Sequence, residues 1–279
     1  SKSVARTLLA KIYAEKPLRD YTKVIQYCDE VKADGFDLVD DFSDLFGMNA
    51  AGTDAKMRNT KESILEAQFT SGAGNWCTWM FGRDLVNWNN NFTWAKWVTP
   101  SRDLISAFKQ EGDEVRFKES IVYYDCNWSN YYPSDNYPFM YKCRSANSSI
   151  IKFRYADVLL LKAEALIMQD TPDLEGAADI IDKVRDRAKL GALPTSVRSN
   201  KNVLLNALLK ERRLELAFEG QRWFDLVRLD KVEEVMNAVY AKDSGRKAQI
   251  YTFDKNSYRL PIPQSVIDAN DKIHQNPGY

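Results

Sequence analysis

The chain has 279 residues, of which 44% are hydrophobic and 28% are charged, a composition typical of soluble globular proteins and not of disordered or fibrous ones. Basic and acidic residues each number 39, so the chain has no positive excess to neutralise nucleic-acid phosphates, and nucleic acid is not expected as a partner. No apolar run approaches the roughly 20 residues that a membrane-spanning helix needs.

Two helices are predicted at the start of the chain. Apolar residues recur at three- and four-residue spacing over residues 4–13 and again over residues 24–31, which is the pattern of an amphipathic helix. Pro17 separates the two runs, and Gly35 ends the second. We therefore predict a helical hairpin over residues 1–35, the unit of tetratricopeptide-like arrays.

The region from residue 36 to residue 150 is predicted to be rich in loops and aromatic side chains and to face the ligand. It holds six of the seven tryptophans, all between positions 76 and 128. Thr99 and Pro100 stand in the order of a cap followed by proline, which predicts a helix from there to about residue 109. A short turn or helix is predicted over residues 40–46, and a strand over residues 63–69.

Helical patterns dominate from residue 151 to the end of the chain. Helices are predicted over residues 153–168, 171–188, 203–229 and 264–269. Thr171 is expected to cap the second of them, and Gly220 to break the third. The predicted fold is mainly α, with tetratricopeptide-like helical hairpins packed with a loop-rich, aromatic-rich region and little β structure.

Common catalytic and metal-binding motifs are absent from the sequence. The chain has one histidine, His274, and its four cysteines show no CxxC spacing, so neither a metal site nor a cofactor is predicted. The cysteines are expected to be buried free thiols, because an unpaired cysteine packs as a small hydrophobic side chain.

The densest charged stretch covers residues 211–225 and permits two interpretations. Glu211, Glu215 and Glu219 share one helix face at four-residue spacing, and two neighbouring carboxylates could act as the acid and base of a glycosidase. A buried structural network is the stronger interpretation, because arginines and apolar residues alternate with these acids. The arginines expected to pair with them are Arg212, Arg213 and Arg222.

The tryptophan-rich region is the better candidate for function. Flat aromatic rings stack on the apolar faces of sugars, while asparagine side chains bind the hydroxyl groups. The first candidates for ligand binding are Trp88, Trp94, Trp97, Asn89 and Asn90. The second candidates are Trp76, Trp79, Trp128, Tyr131 and Tyr132. About half of the clustered tryptophans are expected to be core residues instead, since tryptophan is highly buried on average.

Several segments, in order along the chain, resemble the SusD/RagB family of nutrient-binding surface lipoproteins. The most specific runs through residues 211–228, from Glu-Arg-Arg to Arg-Trp-Phe-Asp-Leu-Val-Arg. The others include residues 154–165 (RYADVLLLKAEA), residues 184–188 (VRDRA) and the ending QNPGY. Looser likeness over residues 5–46 and 99–113 extends the resemblance to nearly the whole chain.

The resemblance implies a single SusD-like domain over residues 1–279, with a helical scaffold over residues 151–279. It implies non-catalytic binding of an oligosaccharide or similar nutrient for delivery to a SusC-like, TonB-dependent transporter. It also implies a place at the cell surface of the outer membrane, through a lipid anchor ahead of this chain in the full-length protein. The N-terminal part of the family architecture is expected to be absent here.

No ligand residue carries over by position, because the family binds ligands through divergent loops. Two alternatives stay open on the residues themselves. One is an all-helical carbohydrate-active enzyme that uses a pair of acidic side chains. The other is a helical protein-interaction module without a small ligand, which predicts that the clustered tryptophans are buried.

Overall fold

The computed structural model describes residues 1–70, 74–77, 99–126, 132–243 and 252–279. The chain divides into two compact units, residues 1–221 and residues 222–279. Among the described residues, no helix is both long enough and apolar enough to cross a bilayer. Helices account for most of the regular structure, so the predicted mainly α fold is confirmed.

The first unit begins with the predicted pair of helices. Helix α1 covers Lys2–Ala14, a short 3₁₀ turn covers Lys16–Leu18, and helix α2 covers Tyr21–Ala33. The two helices pack against each other, and the Asp20 carboxylate caps α2 by accepting a hydrogen bond from the Lys23 backbone N–H, at 3.0 Å. The hairpin predicted from apolar spacing is therefore confirmed.

Short elements and two small sheets form the middle of the first unit. Its helices are α3 (Ser43–Phe46), α4 (Arg102–Glu111) and α5 (Glu114–Ser120). Its strands are β1 (Ser63–Ala67), β2 (Ile121–Tyr124), β3 (Tyr137–Met140) and β4 (Ile150–Arg154). Strand β1 pairs with β4 and β2 pairs with β3, both antiparallel. Because β1 and β4 are far apart in sequence, their ladder joins the two ends of this region.

Four helices complete the first unit, and three of them supply many of its buried apolar side chains. They are α6 (Tyr155–Met168), α7 (Leu174–Arg187), α8 (Thr195–Arg198) and α9 (Lys201–Glu215). Helix α6 contacts α2, α7 and α9, which explains why it is apolar on nearly all sides. The main core cluster contains side chains from α2, α6, α7 and α9, including Val24, Leu160, Ile181 and Leu204.

Two predicted helix starts are wrong. Phe153 and Arg154 belong to strand β4, and α6 begins only at Tyr155, because pairing with β1 holds both residues in extended conformation. Helix α4 begins at Arg102, and its cap is Ser101, whose hydroxyl accepts a hydrogen bond from the Leu104 N–H at 3.1 Å. Apolar spacing cannot reveal either feature, since both depend on contacts that the pattern does not encode.

The predicted cap of α7 is also wrong. Asp173, not Thr171, is the N-cap residue, and its carboxylate accepts a hydrogen bond from the Gly176 N–H at 2.9 Å. The charged carboxylate suits this end because the positive end of the helix dipole lies there.

Asp173→Ala is therefore expected to lower the free energy of unfolding by about 1 kcal/mol, because the Gly176 N–H loses its acceptor. Thr171→Ala, at the position predicted from sequence, is the matched control and is expected to change it by less than about 0.5 kcal/mol. Urea denaturation followed by circular dichroism measures both values. Equal losses in the two variants would contradict the assignment of the cap.

The predicted break near Gly220 is confirmed. Helix α9 ends at Glu215, and the next helix, α10, begins at Arg222. Between them Phe218 and Gly220 take positive φ angles of 65° and 76°, which end helical geometry. The second unit contains α10 (Arg222–Arg228), α11 (Val232–Lys242) and α12 (Gln264–Asp268), the last of which was predicted.

Candidate functional site

Trp76 is the predicted ligand residue that the structure describes as exposed, with 60% of its surface accessible. The residue before it is buried and firmly held. The Asn75 side-chain amide donates hydrogen bonds to the backbone oxygens of Ser145, Ala146 and Ser148, at 3.1, 3.0 and 2.7 Å. The Asn75 N–H also donates to the Ala146 oxygen at 2.7 Å. The indole ring is therefore presented to solvent from a fixed backbone.

Tyr132 is the other predicted ligand residue within the described part of the chain, and it is half-buried. Its hydroxyl donates a hydrogen bond to the Pro100 oxygen at 2.8 Å. Its ring meets the edge of the Tyr137 ring at a centroid distance of 5.8 Å, and the Arg102 guanidinium lies 5.0 Å from its centroid. These contacts hold the ring against α4 and β3, so its role is at least partly structural.

The remaining predicted ligand residues lie outside the described residues. They are Trp79, Trp88, Asn89, Asn90, Trp94, Trp97, Trp128 and Tyr131. Their assignment to the ligand site stays a prediction. Trp76 is next to Asn75, which is bonded to the turn at residues 145–148, whereas Tyr132 contacts the start of α4. The two residues are therefore held by different parts of the first unit.

The first unit also contains a cluster of charged side chains that pair with one another. We call it the ion-pair network. Its carboxylates are Glu62, Asp113, Glu211, Glu215 and Glu219, and its cations are Arg116, Lys142, Arg154, Arg185 and Arg187. Most of these side chains are buried, and the others are half-buried.

Glu215 lies at the centre of the network and is 0% exposed. Its carboxylate accepts hydrogen bonds from Arg154 at 2.5 Å, from Arg116 at 3.1 Å and from Arg187. Arg154 in turn donates to Glu62 at 2.7 Å and to Glu219 at 2.7 Å. One guanidinium group thus connects Glu62 to Glu215 and Glu219, which lie far from it in the sequence.

The predicted network is present, but two of the predicted cations, Arg212 and Arg213, pair with other acids, and the pairing of Arg222 stays a prediction. Arg212 pairs with Asp157 at 2.8 Å, and Arg213 pairs with Asp103 at 2.5 Å. The cations that surround Glu215 come instead from α5, β4 and α7. Neighbours along a helix project in different directions, so arginines next to the acids in sequence reach other elements.

The electrostatics of the network suit ion pairing. Burial raises the pKa of Glu215, but Arg187, Arg154 and Arg116 outweigh that effect and hold it well below its usual range. Burial lowers the pKa of the Lys142 ammonium to about 8, and Glu219 offsets part of this effect. Glu211 shows the opposite balance, since burial raises its pKa despite Arg116. Protein cations therefore occupy hydrogen-bonding positions of all three carboxylates, Glu211, Glu215 and Glu219.

The cysteines agree only in part with the prediction. All four are free, but Cys28 and Cys126 are buried while Cys77 and Cys143 are half-buried. Within the described ranges, no group of three histidine, cysteine, aspartate or glutamate side chains is placed to hold a metal ion. The supporting role of Asn75 was not predicted, and its signal in the sequence is only its place beside Trp76.

This chain is similar to known proteins in both sequence and structure. The family model described as "SusD family" matches residues 132–279. The SusD-like protein P38 from Formosa agariphila is 44% identical over 99 residues, which cover 33% of this chain and 19% of that protein.

Two solved structures share the fold over almost the whole chain. A SusD superfamily protein from Parabacteroides distasonis superposes with a TM-score of 0.74 at 22% identity and covers 100% of this chain. Surface glycan-binding protein A from Bacteroides thetaiotaomicron, in complex with laminarihexaose, gives a TM-score of 0.74 at 19% identity over 98% of this chain. In both cases the match spans 63% of the other structure.

Proposed function

Because this chain belongs to the SusD family, we propose that it binds an oligosaccharide or a similar nutrient without changing it. We further propose that it acts at the cell surface of the outer membrane and passes the nutrient to a SusC-like, TonB-dependent transporter. The observation that carries the proposal is the exposed Trp76 ring on a fold shared with a protein whose structure contains laminarihexaose.

The chemistry of an exposed indole ring suits this role. Covering one face of such a ring with a sugar removes on the order of 100 Å² from water, which contributes about 2–3 kcal/mol. Asn75 and its backbone contacts fix the residue before the ring, so less conformational entropy is lost on binding. Two or three such rings would give an affinity of about millimolar to tens of micromolar, which permits capture followed by release.

We propose that the rest of the site lies in the tryptophan-rich part of residues 36–150. Trp88, Trp94 and Trp97 would supply further rings, and Asn89 and Asn90 would bind sugar hydroxyls. Trp79, Trp128 and Tyr131 are further candidates in the same region. This assignment rests on composition and on the support that Asn75 gives to the neighbouring Trp76.

The burial of the ion-pair network argues against the enzyme alternative at Glu211, Glu215 and Glu219. A glycosidase needs two carboxyl groups that reach the scissile bond. Glu215 is fully buried and accepts hydrogen bonds from three arginines. The exposure of Trp76 also disfavours an interaction module in which all the clustered tryptophans are buried.

The binding proposal predicts a large loss of affinity when the rings are removed. Isothermal titration calorimetry would measure the Kd of the chain for a glycan panel that includes laminarihexaose. Removing all three rings in Trp88→Ala/Trp94→Ala/Trp97→Ala is expected to raise the Kd at least about 100-fold, because each ring contributes about 2–3 kcal/mol. Trp76→Ala is expected to raise it about 10-fold or more.

Phe224→Ala provides a matched control, since Phe224 is an aromatic residue with the same 60% exposure outside the proposed site. It is expected to leave the Kd unchanged. Unchanged binding by the triple variant would contradict the choice of residues, whereas no binding to any glycan would contradict the function. Release of shortened glycans that Glu215→Gln abolishes would instead support the enzyme alternative.

A further inference from the structure

Cys77 and Cys143 are brought together by the same contacts that hold Trp76. Asn75, two residues before Cys77, is bonded to Ser145 and Ala146, which follow Cys143. The two segments approach so closely that a Cβ atom at Gly74 would lie 2.9 Å from the Ala146 Cβ. As a result, Cys77 and Cys143 lie opposite each other on the two segments, near enough for their thiols to interact.

We propose that Cys77 and Cys143 form a reversible disulfide that links residues 74–77 covalently to the turn at residues 143–148. Both thiols are free, and Cys77 is the more accessible of the two, so an oxidant would meet Cys77 first. Cysteines on segments that lie side by side can reach the S–S bond length of about 2 Å through rotation of their side chains. The inference is independent of which ligand the chain binds.

The electrostatics of the pair favour the first chemical step. The hydrogen bond from Cys143 lowers the pKa of the Cys77 thiol to about 6, although burial opposes this, and the Lys152 cation adds to the effect. The same hydrogen bond, with burial, raises the pKa of Cys143. The lowered pKa of Cys77 favours its thiolate at neutral pH, and the raised pKa of Cys143 favours its protonated thiol.

The reaction is an exchange with a disulfide-bearing oxidant, such as oxidised glutathione or a disulfide oxidoreductase. The Cys77 thiolate attacks one sulfur of the oxidant, forms a mixed disulfide and releases the first thiolate. Cys143 then loses its proton, attacks the Cys77 sulfur and releases the second thiolate. Two protein thiols are oxidised to one disulfide, one oxidant disulfide is reduced to two thiols, and the protons pass to the released thiolates.

Peptide mapping tests the proposal on the whole chain. The protein is equilibrated with oxidised glutathione, quenched with acid, alkylated with iodoacetamide and digested without reduction. A peptide linked through Cys77 and Cys143 is expected. Separate alkylation of both cysteines, a link to Cys28 or Cys126, or a link between two chains would overturn the proposal.

Thermal unfolding gives a second measurement. Cys77 and Cys143 are 66 positions apart in the sequence (143 − 77). Because a disulfide between them closes a long loop, oxidation is expected to raise the Tm by about 5 °C. Cys77→Ser and Cys143→Ser should each abolish that increase, whereas Cys126→Ala, which removes a buried thiol, should retain it. An oxidation-dependent increase that survives Cys143→Ser would overturn the proposal.

Alkylation rates of the reduced protein separate the pair from an ordinary buried thiol. At pH 7, Cys77 is expected to react at least about 10-fold faster than Cys28, because the thiolate is the reactive form. Burial raises the pKa of Cys28, so this residue is the internal control. Equal rates for Cys77 and Cys28 would overturn the assignment of Cys77 as the attacking group.

Discussion

Glu215→Gln is expected to lower the free energy of unfolding by about 3–5 kcal/mol, which is the usual cost of removing one partner from a buried ion pair. Glutamine keeps the size of the side chain but removes its charge. Arg116, Arg154 and Arg187 would then share fewer carboxylates in a region that water does not reach. Urea denaturation followed by circular dichroism measures the change.

Asp40→Asn is the matched control for this prediction. Asp40 also pairs with a cation, Lys61, at 3.1 Å, but its side chain is 97% exposed. Water screens exposed pairs strongly, so the control is expected to change the free energy of unfolding by less than about 0.5 kcal/mol. A loss in Glu215→Gln as small as that of the control would show that the network does not depend on the Glu215 charge.

Acidification is expected to destabilise the first unit through the same carboxylates. The pKa values of Glu215 and Glu219 lie below the ordinary value of 4.5, and that of Asp157 lies below its ordinary 3.8. In each case burial acts in the opposite direction, and neighbouring arginine or lysine cations outweigh it. The unfolded chain therefore binds more protons than the folded chain as the pH falls through these ordinary values.

The contribution of these groups to stability is complete above about pH 5 and is lost as the pH falls through their lowered folded-state pKa values. Glu211 and Asp113 act in the opposite direction, because burial raises their pKa values. We expect the carboxylates with lowered pKa values to dominate the pH dependence of stability, since Glu215 has the most cationic partners.

Urea midpoints measured from pH 6 down to pH 3 test this expectation. The midpoint of the wild-type chain should fall steeply below pH 5, and that of Glu215→Gln should fall less, because one titrating carboxylate is gone. Asp40→Asn should follow the wild-type curve. A wild-type curve parallel to that of Glu215→Gln over this range would contradict the role of Glu215.

The sequence by itself determined the features that depend on neighbours along the chain. Apolar spacing predicted the hairpin of α1 and α2, because the buried face of a helix repeats every three to four residues. Gly220 marked the break after α9, because glycine takes positive φ angles without steric cost. The segments that resemble the SusD family were sufficient to identify it, and the match over residues 132–279 confirms that prediction.

The tertiary structure decided which distant groups meet. Glu215 accepts hydrogen bonds from arginines 28, 61 and 99 positions away, and spacing along α9 contains no information about them. The contact between Cys77 and Cys143 likewise arises from the seating of Asn75 on another segment. Apolar periodicity shows that one face of an element is buried, but not which partner covers it.

The candidate site illustrates the same limit. Clustered tryptophans suggested ligand binding, yet composition could not distinguish exposed rings from core rings, because an indole suits both environments. For Trp76, the packing of its neighbour Asn75 in the first unit made that distinction, and the ring is exposed. Exposure is a property of the folded surface, and it is set by contacts between segments that lie far apart in the sequence.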